Sequence, residues 1–178
     1  MQGSMEIDIN KACCFTGHRP EKCKGTETDI RKRLNEEIRK AINDGFSFFI
    51  TGMAPGVDTW AAEEVLKIKA EMDGIELICA VPFEGVEKNR TPGLQNRFRE
   101  ILSKADIITY ICPKYTRWCF HARDEWMVNH AARVIAVFNG THGGTEFTIN
   151  YAKKNNRDLV LINDVVLHAE YTENINIM

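Results

Sequence analysis

Serine is scarce: only Ser4, Ser47 and Ser103 occur in 178 residues, and none lies in a loop after a strand-like run. A serine nucleophile elbow needs its serine on a sharp strand-to-helix turn, so that class of hydrolase is excluded. The spelling G-x-x-x-x-G-K-[ST] is missing as well, and no G-x-G-x-x-G follows the first strand-like run with an acid ending the second. P-loop nucleotide hydrolysis and ordinary dinucleotide-dependent dehydrogenation are thereby weakened. No apolar run approaches a bilayer span and no charged-then-apolar leader opens the chain, so a cytoplasmic location without a membrane partner is expected. Cations do not outnumber acids. The formal net charge of −2 provides no global positive field, which argues against a nucleic-acid partner.

The six cysteines (Cys13, Cys14, Cys23, Cys79, Cys112 and Cys119) show no paired spacing, and several fall inside apolar runs. They read as reduced, buried thiols. Cys112, Cys119 and His121 match no common zinc spacing, and neither a metal nor a cofactor is expected. Residues 1–4 (MQGS) resemble a tag remnant and receive no role in the fold.

What remains is 44% hydrophobic and 27% charged, enough for one globular domain over residues 5–178 with a substantial core. Strand-like runs occupy 12–16, 46–51, 75–81, 107–111, 134–138 and 159–162. Most are continuously apolar, as parallel strands covered on both faces must be. Between the first two, Ile30, Leu34, Ile38, Ala41 and Ile42 recur at helical spacing, with Gly45 closing the helix. Further helices are predicted around Trp60–Ile68, Leu94–Ala105, 123–132 and 144–155. The basic run at 31–33, interleaved with Glu36 and Glu37, reads as a solvated helix face. Strand–helix alternation predicts a Rossmann-like, doubly wound three-layer α/β sandwich on a mostly parallel sheet of about six strands. Ligands of such sheets bind beyond the carboxyl ends of the strands, where strand order reverses.

Three loops there carry glycines. Thr16-Gly-His-Arg-Pro20 offers His18 and Arg19 to a phosphate or a base. Asn139-Gly-Thr-His-Gly-Gly-Thr145 opens a helix; Gly143 and Gly144 permit close backbone approach, Thr145 adds a hydroxyl, and the helix start attracts an anion. Gly52-Met-Ala-Pro-Gly-Val-Asp58 resembles another phosphate turn but ends in an acid. Asp58 reads either as the N-cap of the next helix or as an acceptor for ribose hydroxyls, and both readings stay open. Tyr115, Trp118 and Phe120 read as core aromatics or as a stacking surface for a nucleobase.

The blocks FTGHRP (15–20), ITGMAPGVDTWAAE (50–63), RDEWMVNHA (123–131) and NGTHGGTEFTINYA (139–152) together resemble the YpsA family of the SLOG superfamily, which joins DprA and the LOG phosphoribohydrolases. The resemblance implies a pocket for a nucleotide or ADP-ribose-like molecule, drawing on Gly17, His18, Arg19, Gly52, Met53, Gly56, Asp58, Glu63, Arg123, Asn139, Gly143, Gly144 and Thr145. It aligns Thr148 with the catalytic glutamate of LOG hydrolases and His142 with one of their glycines, so no catalytic residue carries over. The expectation is a nucleotide-binding sensor or sequestering module, with a homo-oligomer left open. The alternatives are a nucleotide or N-glycoside hydrolase using Asp58, Glu63 or Asp124 as acid or base, and a DprA-like nucleic-acid-binding protein.

Overall fold

A computed structural model describes residues 6–164; residues 1–5 and 165–178, which include the tag remnant expected at 1–4, lie outside the described residues. The strands are β1 (Ala12–Gly17), β2 (Phe48–Thr51), β3 (Glu76–Val81), β4 (Ile107–Tyr110), β5 (Arg133–Val137) and β6 (Asp158–Ile162). The α-helices are α1 (Glu27–Asn43), α2 (Val57–Lys69), α3 (Pro92–Lys104), α4 (Cys119–Asn129) and α5 (Gly144–Lys154). The strands form one sheet in the order β4-β3-β2-β1-β5-β6, with every neighbouring pair parallel. Cys14 of the central β1 faces Ile50 of β2 on one side and Val134 of β5 on the other. This is the Rossmann-like α/β fold expected from the alternation of runs.

Both sheet faces are covered. Phe15, Phe49, Leu34, Ile38, Trp60 and Val65 belong to a core under α1–α3, where the Phe15 and Phe49 rings stack at 6.1 Å. Cys14, Ile50, Ile78, Val128 and Val134 belong to a second core under α4 and α5. Both-sided burial explains why the central strands lack polar alternation. The edge strand β4 departs from this pattern, with Ile108 and Tyr110 exposed. All six cysteines are unpaired. Burial raises the Cys13 and Cys14 thiols and pushes Cys79 up to about 12, so these sulfurs stay protonated and poorly nucleophilic.

Among the boundaries that differ from the sequence reading, two have clear local reasons. β2 starts at Phe48 because the Phe46 N–H turns back to the Ala41 carbonyl at 3.0 Å, which makes Phe46 part of the turn closing α1. α4 starts at Cys119 rather than 123 because its buried stripe (Cys119, Arg123, Asp124, Met127, Val128) includes two charged residues, which an apolar period does not register. The basic run on α1 is also less solvated than expected: Arg31 is half-buried and pairs with Glu63 and Glu64 of α2, each at 2.8 Å.

Strand order reverses at β1: β2, β3 and β4 follow on one side, β5 and β6 on the other. The β1 and β5 loops therefore diverge at the carboxyl edge and leave a crevice between them.

Candidate functional site

A cavity of about 230 Å³ fills that crevice. Gly17, His18 and Arg19 line it from the β1 loop, Asp58 with Ala54 and Pro55 from the β2 loop, and Gly143, Gly144 and Thr145 from the start of α5. Arg123 and Asp124 of α4 complete the wall. The three glycine loops thus converge on one site, as carboxyl-edge positions predict.

Gly56 sets the second loop. It enters α2 at φ +93°, and a Cβ there would sit 2.6 Å from the His18 carbonyl, so the β1 and β2 loops can touch only through a glycine. Gly56 is also the N-cap of α2, and it has no side chain to cap with. Asp58 is therefore not the N-cap: it is the second residue of the helix, buried, with its carboxylate turned back to the Ala54 N–H at 3.3 Å. Burial pushes this carboxyl up to about 6, against the pull of the Arg123 guanidinium, with Asp124 adding to the rise. Asp124 is raised too, chiefly by burial and again against Arg123.

Arg123 holds the site together. Its Nε donates to Asp124 at 2.7 Å and its Nη1 donates to the Gly52 carbonyl, with the residue 7% exposed. Its charge is already balanced by Asp124, so Arg123 acts as a strut rather than a free anion ligand. His18 is likewise committed. Its ring stacks on Phe138 at 5.7 Å and its Nε2 accepts the Asn139 N–H at 3.4 Å, which leaves the remaining proton on Nδ1. Burial lowers its pKa, so at neutral pH it brings no charge to the cavity.

The α5 turn differs in kind. Gly143 is the N-cap, at φ +150°, so Thr145 is a buried first-turn residue and not a capping one. At Gly144 a Cβ would meet nothing nearer than the Asp124 carboxylate at 4.0 Å. Beyond its own turn, no atom but that carboxylate comes within 4 Å of this position, and α5 begins here with no side chain capping its first backbone N–H groups.

Five expected residues stand apart from the cavity wall, Gly56 among them in its contact with the β1 loop. Glu63 pairs with Arg31 and Arg97 on the outer side of α2, where Arg97 reaches its Oε2 at 2.6 Å. Gly52 and Met53 contribute only carbonyls, to Arg123 and Arg90. Asn139 braces the β1 loop by donating to the Lys22 carbonyl at 2.8 Å. Conversely, Lys22, Arg90 and His121 line the cavity without having been singled out for it. Arg90 lies in the segment between β3 and α3, at the carboxyl edge where the strand-end rule places ligands. Among the described residues no cluster of three His, Cys, Asp or Glu side chains is placed to hold a metal ion, and no helix is long and apolar enough to cross a membrane.

Against known proteins, the model of the YpsA family, described as the YspA SLOG family, matches residues 13–166. A UPF0398 protein of Lysinibacillus sphaericus is 25% identical over 118 residues, covering 65% of this chain and 66% of that one. The SPbeta prophage-derived protein YoqJ of Bacillus subtilis is 30% identical over 118 residues, covering 60% and 69%. Among solved structures, DprA from Streptococcus pneumoniae superposes with a TM-score of 0.60 at 18% identity, covering 86% of this chain and 50% of that one. DprA from Helicobacter pylori, described for its single-stranded DNA binding mode, gives 0.62 at 17% identity over 88% and 67%. Likeness at that identity is a likeness of fold. The matched region amounts to just under two thirds of the Lysinibacillus protein and half of the pneumococcal chain.

Proposed function

Since the chain belongs to the YpsA SLOG family, we propose that its carboxyl-edge cavity binds a nucleoside phosphate or an ADP-ribose-like molecule, and that the protein acts as a sensor or sequestering module. The observation that carries this reading is the pairing of opposite chemistries in one small space. On one side are the open first turn of α5 and the Lys22 ammonium, whose Nζ lies 3.9 Å from the Cβ position of Gly143; beside them are the buried carboxylates of Asp58 and Asp124. Phosphate suits the former and sugar hydroxyls the latter. A volume of about 230 Å³ suits a ribose phosphate, with the base left at the mouth near Phe120 and His121.

Binding without turnover is favoured by Thr148. It stands where a catalytic glutamate would be needed, and its hydroxyl is spent on the Gly144 carbonyl at 2.9 Å. The Gly144→Val variant tests the reading, because a Cβ there comes no nearer than 4.0 Å to the protein while the side chain would occupy the cradle. Calorimetry with AMP, ribose 5-phosphate and ADP-ribose should show binding to the wild type and none to a folded variant. Equal affinity in both proteins would refute the cradle, and release of free base by the wild type would replace the binding module with a hydrolase.

A second reading, a single-stranded nucleic acid laid across the mouth, rests on Trp118, 59% exposed beside His121 of the cavity wall, and Tyr115, 62% exposed against Phe83. Tight binding of an oligonucleotide with weak binding of every mononucleotide would favour it.

A further inference from the structure

Arg90 is unlike most buried and half-buried arginines of this protein, and it differs from Arg157, which also makes no carboxylate ion pair among the described residues, in lining the cavity. Arg31, Arg97, Arg123 and Arg133 each meet at least one carboxylate within ion-pair distance. Arg90 meets none among the described residues, and neither does Arg19, which lines the same cavity. Instead Arg90 is fixed by neutral groups: its Nη2 donates to the Met53 carbonyl at 3.0 Å, and its guanidinium lies 4.9 Å from the Phe98 ring centre. A guanidinium has five N–H donors, so one edge and one face are anchored while the other donors remain for something in the cavity.

The anchor is itself unusual. Met53 is fully buried and holds φ +60°, a conformation that side-chain-bearing residues seldom adopt. Such strain persists where the surroundings enforce it, and here it presents the Met53 carbonyl to Arg90. Arg19, on the loop after β1, packs against that turn, its Cα 3.0 Å from the Cβ position of Gly56. Burial and the Arg19 charge both work against the charged form of Arg90. Glu87 and Asp58 act the other way, but neither forms an ion pair with Arg90, so an arriving anion would stabilise the two cations.

We infer that Arg90 and Arg19 form a second anion position on the 52–56 turn, distinct from the α5 turn with Lys22, so that the ligand carries two phosphate groups and is a nucleoside diphosphate rather than a monophosphate. This rests on the nucleotide-binding reading above. The α5 position and the Arg19–Arg90 position use different cations and different anchors, the first turn of α5 beside Lys22 and the segment after β3 beside Arg19, which is what a diphosphate spanning the cavity requires. A charge-assisted hydrogen bond to one more phosphate corresponds to about tenfold to a hundredfold in affinity.

Calorimetry with AMP and ADP on the wild type and on Arg90→Gln tests this, with melting temperatures recorded alongside. The wild type should bind ADP at least tenfold more tightly than AMP, and Arg90→Gln should bring that ratio close to one. Arg19→Gln, at an exposed position, should shrink the ratio in the same direction and carries the test if Arg90→Gln fails to fold. An ADP-to-AMP ratio near one in the wild type, or a ratio unchanged in both variants, overturns the second position while leaving nucleotide binding intact. Failure of the wild type to bind either nucleotide overturns both.

Discussion

Replacing Asp58 by asparagine keeps the size of the side chain and an oxygen for the Ala54 N–H, and removes only the ability to ionise. In the folded protein burial lifts this carboxyl from 3.8 to about 6. At about 1.4 kcal/mol per pH unit, holding it ionised near neutral pH costs the fold about 3 kcal/mol. The sign follows from proton counts. Between pH 4 and 6 the unfolded chain has released this proton and the folded chain has kept it, so stability drains away as pH rises through that window. The variant has no such proton to release. Urea unfolding of both proteins at pH 4, 5, 6 and 7 in constant salt should therefore show the wild type losing about 2–3 kcal/mol relative to Asp58→Asn across the series. Taking the difference cancels the carboxyls whose pKa values are lowered, such as Glu27 and Asp106, because both proteins keep them. Parallel curves, or a wild type that gains on the variant as pH rises, would mean that Arg123 outweighs burial and that the account of this carboxylate is wrong.

Arg123→Met should destabilise the protein by about 3–5 kcal/mol in urea unfolding, since it leaves the buried Asp124 carboxylate unpaired, and adding Asp124→Asn should recover much of the loss. Glu63→Gln should leave nucleotide affinity unchanged in calorimetry, because Glu63 faces Arg31 and Arg97 and not the cavity. The half-exposed setting of that ion network limits the effect on stability to about 1 kcal/mol or less. Gly144→Val should melt within a few degrees of the wild type, since its Cβ meets open space.

The sheet was legible because burial on both faces writes itself as unbroken apolar runs, and the position of the site followed from which loops end at the carboxyl edge. The contents of the site were less so. Asp58 reads as an N-cap until Gly56 is seen at φ +93°, and no residue pattern announces a dihedral angle. Arg123 appears as a free cation until Asp124 and the Gly52 carbonyl are found to use it up, a contact across 71 positions of chain. Glu63 is a different matter. It lies five positions after Asp58 on one helix, about 140° around the axis, so helical geometry alone already turned it away from a ligand at Asp58. The resemblance to a family motif carried it into the site where the period would have left it out.

The Arg123 strut has a consequence for how fast a ligand is captured. Gly52 leads into α2, which packs on one face of the sheet, while Arg123 sits on α4, which packs on the other. One side chain thus bridges the two helical layers across the open end of the sheet, like a tie-beam over a gable. Prising the layers apart would leave the Arg123–Asp124 pair intact but would break the Arg123 hydrogen bond to the Gly52 carbonyl and strand that carbonyl without its charged donor, which resists any widening of the crevice. On the proposed reading, a nucleotide diffusing in would meet a mould already set, and its capture would proceed in a single step at a rate governed by encounter and desolvation, without waiting for the walls to close.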